Sequence, residues 1–136
     1  MDIRKFAVEP TARLHLRDAG DELMYVDADE SKPIAVNLFG PGSKQHARAL
    51  NEKQNHHVDL IKKKGKTKES AEDARKSNAE FLSACTASWE NMEYDGLTGD
   101  ALSVAVYSDI SIGFIADQVA SYLADWANFT KGSPKP

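Results

Sequence analysis

The chain has 136 residues, 41% of them hydrophobic and 28% charged, the size and balance of one globular domain that folds without disulfides or a metal. No apolar run approaches the roughly 18 residues of a membrane-crossing helix, the N-terminus lacks the apolar core of a signal peptide, and a lone Cys85 excludes an internal disulfide framework or a multi-cysteine zinc site; the compartment expected is the cytosol. The net charge of −4 is uneven: residues 1–43 carry five cations and eight acids, residues 44–76 ten and five, residues 77–136 two and eight, so bulk charge does not point to a nucleic-acid binder.

Three extended segments are expected first. Ala12, Leu14 and Leu16 alternate with Arg13, His15 and Arg17, a half-buried strand with one apolar and one cationic face. A turn at 18–22 leads to a short partner strand at 23–26, rich in β formers. Ile34, Val36 and Leu38 alternate with Ala35, Asn37 and Phe39 as a third strand, ended by Gly40, Pro41 and Gly42.

The period then becomes helical. Ser43 is a good N-cap for a helix from Lys44 to Lys64, with Ala47, Leu50, Val58 and Ile61 on a sparse apolar stripe and much of its surface exposed. A glycine-broken lysine run at 62–68 reads as a solvated connection. Ala71, Ala74, Asn78, Phe81, Cys85, Trp89 and Met92 recur at spacings of three and four, predicting a second helix that packs more deeply toward its end. After a loop at 93–99, Asp100 is placed to cap a short helix at 101–107, and Asp109 a last one carrying Ile112, Ile115, Ala116, Val119, Leu123 and Trp126. The fold class expected is α+β, a short N-terminal antiparallel β-meander followed by a bundle of about four helices. Residues 1–130 are expected to form the single domain and 131–136 a flexible tail.

The chemistry-bearing residues read as structural. His46 and His57 share a helix face but stand about 16 Å apart at 1.5 Å per residue, too far for one metal, and His56 diverges from His57. Cys85 lies between Phe81 and Trp89, the setting of a core cysteine. Glu90, Glu93, Asp95 and Asp100 lie in loop-like sequence and suit caps and solvated turns. Lys62, Lys63 and Lys64 open a basic run that has neither a phosphate-binding glycine pattern nor an aromatic for base stacking; a contact with an acidic partner is its functional reading. Among the aromatics of the second half, Phe129 at the end of the last helix is the first candidate for a partner contact, against the alternative that it packs back on the domain. No arrangement supports catalysis, and no cofactor or metal is expected.

The order of these segments resembles the tail assembly chaperones of long-tailed bacteriophages. The segments that carry the likeness are LHLRD at 14–18, IAVNLFGP at 34–41 followed by Ser43, Trp89 followed by Asp95 and Gly96, VYSD at 106–109, IADQV at 115–119 and DWANF at 125–129. Ile110 departs from it, standing where proline would follow the capping aspartate. The resemblance implies a non-catalytic protein of the host cytoplasm that coats and solubilises the tape measure protein and helps recruit tail tube protein. It also implies absence from the finished virion and, in many members, a longer frameshifted form; the end of the chain, 131–136, would suit such a junction. Weak self-association is expected from coating an elongated client; membrane and nucleic-acid binding are not. An apolar groove between the second and last helices, with Met92, Tyr94 and Phe129 near its rim, is the expected client site. A structural tail or connector subunit, and a small nucleic-acid-binding module using the 62–68 lysines, are the alternatives.

Overall fold

Alternation decides the first two strands. In a computed structural model, which describes residues 1–64 and 70–130, β1 (Thr11–His15) pairs antiparallel with β2 (Ala35–Phe39), Leu14 opposite Val36 and Arg13 opposite Asn37. Side chains alternate across a pleated strand, so Leu14, Val36 and Leu38 share the core face while Arg13 and Asn37 share the other. Leu16 extends the pairing, its N–H donating to the Ile34 carbonyl at 3.0 Å.

The expected strand at 23–26 does not form as such. Residues 17–33 make an excursion with isolated bridges between Arg17 and Leu23 and between Tyr25 and Pro33. The Asp18 carboxylate accepts from the N–H groups of Gly20 and Glu22, closing the turn expected there, and Asp21 takes a φ of 67°. Two further features stop a continuous ladder: Pro33 has no N–H to donate, and Glu30 sits at a φ of 61°. The excursion covers His15, which is buried with Nε2 2.8 Å from the Met24 carbonyl oxygen and its ring edge-on to Tyr25. The outer face of β1 is therefore not uniformly cationic and solvated.

Ser43 caps the first helix as expected: its Oγ accepts from the His46 N–H at 3.1 Å and donates to the Gly40 carbonyl at 2.7 Å. Helix α1 (Lys44–Lys64) then runs 21 residues, and Ser70 caps α2 (Ala71–Ala84), its side chain accepting from the Asp73 N–H. Here the second helix ends sooner than the apolar spacing predicts. Thr86 Oγ1 donates back to the Leu82 carbonyl at 2.8 Å, and β3 (Thr86–Glu90) follows, antiparallel to β2. Trp89 thus lies opposite Val36 in a sheet, with Met92 in the loop beyond. The reason is the free edge of β2, whose backbone groups need partners; Thr and Trp also favour a pleated surface. An irregularity of register between Asn37 and Leu38 absorbs the extra residue, Ala87.

The sheet order is β1-β2-β3. Across its outer face the Glu90 carboxylate accepts from Arg13 Nε at 2.9 Å and from Asn37 Nδ2 at 3.0 Å, joining all three strands. Thr98, not Asp100, occupies the N-cap position of α3 (Gly99–Ser108). Asp109 caps a 310 turn, Ile110–Ile112, that leads into α4 (Gly113–Leu123). The architecture is α+β: N-terminal strands precede a helical region that packs on one face of the sheet. Leu14, Leu16, Val36 and Leu38 meet Leu82, Val106, Ile115, Val119 and Leu123 in one core. A closing 310 turn, Trp126–Phe129, folds back toward β1, where the Glu9 N–H donates to the Phe129 carbonyl at 2.7 Å. The tail expected at 131–136 lies outside the described residues.

Candidate functional site

The three residues expected to rim a client groove do not share one. Phe129 is 1% exposed and packs against the backbone of Gly40, so closely that a β-carbon there would lie 2.3 Å from its ring. Its ring meets Tyr122 edge-on at 5.5 Å. Phe129 is thus a core residue, correcting its placement on a binding surface: a ring this large loses less by turning inward over a glycine than by facing water. Trp126, three residues earlier and expected to continue the buried side of α4, is instead 56% exposed. Gly40 follows β2 at one end, whereas Met92 follows Glu90, which pairs with Ala35 at the other end. Five residues of strand, about 16 Å at 3.3 Å each, separate the two ends. Nor is there an open groove between α2 and α4, because α3 packs against both.

Tyr94 is half-buried, and its hydroxyl donates to Asp109 Oδ2 at 2.7 Å. The bond raises the phenol's pKa, and the Ser111 hydroxyl, the Tyr94 hydroxyl and the Ser111 N–H together hold the Asp109 carboxyl below its usual range. The pair pins the loop after β3 to the start of the Ile110–Ile112 turn. Met92 instead lines a cleft of about 340 Å³ between β3 and the first turn of α3, with Trp89, Leu97 and Leu102. Trp89 Nε1 donates to Ser103 Oγ at 2.8 Å, and Thr86 Oγ1 lies 2.7 Å from the Tyr107 hydroxyl. The indole N–H of Trp89 and the hydroxyl of Thr86, both lining the cleft, are therefore already partnered.

The groups that could carry covalent or acid–base chemistry are dispersed. Cys85 is buried, and burial pushes its thiol up to about 12, the reverse of an activated nucleophile. Glu90 is engaged by Arg13 and Asn37, Asp100 lines the cleft, and Glu93 and Asp95 are exposed in the loop. His46 packs edge-on against Phe81 at 5.6 Å, and desolvation lowers its pKa; His56 and His57 are exposed. Among the described residues no group of three His, Cys, Asp or Glu side chains could hold a metal ion.

The surface whose direction spacing alone leaves open is on α1. The Ala47–Leu50–Val58–Ile61 stripe, read as this helix's apolar side, faces solvent: Leu50 is 42%, Val58 46% and Ile61 36% exposed. The helix is held to α2 by a different side. Ala49 is buried there, His46 meets Phe81, and the Lys53 ammonium lies 5.0 Å over the same ring. Two aromatic contacts and an alanine hold the inner side, so the larger aliphatics are left outside. Lys62 is exposed near the end of the same helix. The backbones of Lys63 and Lys64 belong to α1, while their side chains, and the lysine-run positions 65–68, lie outside the described residues.

No single helix among the described residues is long and apolar enough to cross a membrane. No protein-family model matches the chain, and no curated protein or solved structure matches it.

Proposed function

We propose that this chain is a tail assembly chaperone of a long-tailed phage or prophage, acting without catalysis. In this reading it binds the tape measure protein in the host cytoplasm, keeps it soluble and helps recruit tail tube protein, and it is left out of the virion. The likeness to that family of residues 14–18, of 34–41 followed by Ser43, of Trp89 with Asp95 and Gly96, and of 106–109, 115–119 and 125–129 motivates the reading. The observation that carries it is α1: a 21-residue helix that leaves Leu50, Val58 and Ile61 in water on one side. An exposed apolar stripe on a helix is suited to covering the apolar stripe of another helix. The Met92 cleft, where Trp89, Leu97 and Leu102 stand beside Ser88, Asn91 and Asp100, offers a second contact.

Co-expression with the tape measure protein tests the proposal. The expected result is a soluble, co-purifying client, with less of it when Leu50, Val58 and Ile61 are replaced together by glutamine. Mass spectrometry of purified virions should find the client and not this chain. A client that stays insoluble, or this chain at stoichiometric amounts in particles, would reject the reading; the second result would favour a structural tail subunit.

A further inference from the structure

Helix α1 differs in charge from the rest of the molecule. Lys44, Arg48, Lys53, Lys62, Lys63 and Lys64 oppose only Glu52 and Asp59, within a chain whose net charge is −4. The charges are also sorted around the helix. At about 100° per residue, Leu50, Ile61, Ala47 and Val58 fall within one arc of roughly 80°. Lys44 and Lys62 border that arc on one side, with Arg48 beyond them, and Lys53 borders it on the other. Glu52 and Asp59 fall on the opposite side of the helix, roughly 150° from the centre of the arc. The stripe itself runs Ala47, Leu50, Gln54, His57 and Ile61, at spacings of three, four, three and four. That is the seam pattern of two packed helices, continued over 14 residues or about 21 Å.

We infer that the outer face of α1 docks an amphipathic helix whose own apolar stripe is bordered by aspartate or glutamate. The seam spacing selects a helix, and the bordering cations select its charge: carboxylates flanking the partner's stripe meet Lys44 and Lys62, with Arg48 beyond them, while lysines would be repelled. A second copy of α1 is a poor occupant for the same reason, because it would set these cations against one another. An anionic membrane surface calls for a wider apolar face, with bulky aromatics at its edge, whereas this stripe is interrupted by Gln54 and His57 and carries no aromatic. Nucleic acid would meet the cations but not the apolar centre. The contact is short, four turns of one helix, and held partly by exposed charges, so it is reversible and salt-sensitive. The docking chemistry stands on α1 alone; the identification of the partner as a segment of the tape measure protein rests on the function proposed above.

Two synthetic four-turn helices with the same leucine–alanine stripe, one flanked by glutamate and one by lysine, test this with the full-length chain by fluorescence anisotropy. The glutamate-flanked peptide is expected to bind at least tenfold more tightly at low salt, with the difference closing as salt rises toward roughly 0.5 M. Replacing Leu50, Val58 and Ile61 by glutamine should weaken it at least tenfold. The triple change Lys44→Glu, Arg48→Glu, Lys62→Glu should reverse the preference. All six positions are solvent-facing, and circular dichroism checks that each variant folds; the peptide comparison on the unmodified chain needs no variant. Equal binding of the two peptides would overturn the inference. So would unchanged binding by the glutamine variant, or tighter binding of anionic vesicles or duplex DNA than of the glutamate-flanked peptide. Should that peptide bind as expected while co-expressed tape measure protein stays insoluble, the chaperone reading falls and the docking face stands. If the glutamine variant solubilises the client as well as the unmodified chain does, the docking face falls, and the chaperone reading then rests on the family likeness and the Met92 cleft alone.

Discussion

Replacing Gly40 by alanine would set a methyl group against the face of a buried ring. The new carbon would lie 2.3, 2.5 and 2.7 Å from Cδ2, Cε2 and Cγ of Phe129, well inside the 3.5–4.0 Å at which carbon atoms attract. The ring is 1% exposed and backed by Tyr122, so it has no free space to turn into. Gly40→Ala should therefore cost about 1–3 kcal/mol, the usual range for overpacking a core. Phe129→Ala should cost about 3–5 kcal/mol, through lost burial and the cavity left behind. Made together, the two changes remove the clash and place the methyl in the vacated volume. The double variant should then be more stable than the sum of the single changes implies by about 1–3 kcal/mol. A domain of this length has roughly 7–20 kcal/mol of stability at ~0.05–0.15 kcal/mol per residue, so the variants should all remain folded. Urea titrations followed by circular dichroism supply the four free energies of the cycle. Additivity within about 0.5 kcal/mol would refute the reasoning, because it would mean that Phe129 does not rest on Gly40 in solution.

Cys85 should resist a thiol reagent at pH 8 in the folded protein and react at once when the chain is unfolded in urea, since burial holds its thiol near 12; rapid reaction of the native protein would place it at the surface. Ser43→Ala removes both the cap on the His46 N–H and the bond to the Gly40 carbonyl, and should lower stability by about 1–2 kcal/mol in the same titration. Asp109 has a folded pKa below its ordinary 3.8, so its contribution is complete above that value and lost as pH falls through the folded pKa. The melting temperature of the unmodified chain should accordingly exceed that of Asp109→Asn at pH 6, with the gap closing as pH drops below about 3.8; a gap that widens in acid would contradict the Ser111 and Tyr94 bonds. Trp89→Phe removes the indole donor to Ser103 while keeping most of the apolar surface, and should cost about 1 kcal/mol as read by thermal unfolding.

Some of this molecule is written in short stretches of sequence. Ser43 and the helix formers after it suffice for a helix from Lys44 to Lys64, because a cap and its first turn lie within four residues. The alternation at Leu14 and at Val36 is likewise enough for two strands and an α+β fold. The end of α2 is not local in this way. Phe81, Cys85, Trp89 and Met92 keep helical spacing, yet the open edge of β2, some fifty residues earlier, draws residues 86–90 into the sheet. Phe129 is similar: its burial depends on the bare backbone of Gly40, which only the folded chain brings beneath it. The same holds for the surface with most bearing on function. Spacing alone shows that α1 has an apolar stripe, but not which way it faces. The contacts of His46, Ala49 and Lys53 with α2 turn Leu50, Val58 and Ile61 outward. Hydrophobic periodicity records that a helix has two sides; which side meets the protein and which meets a partner depends on what the rest of the chain packs against it.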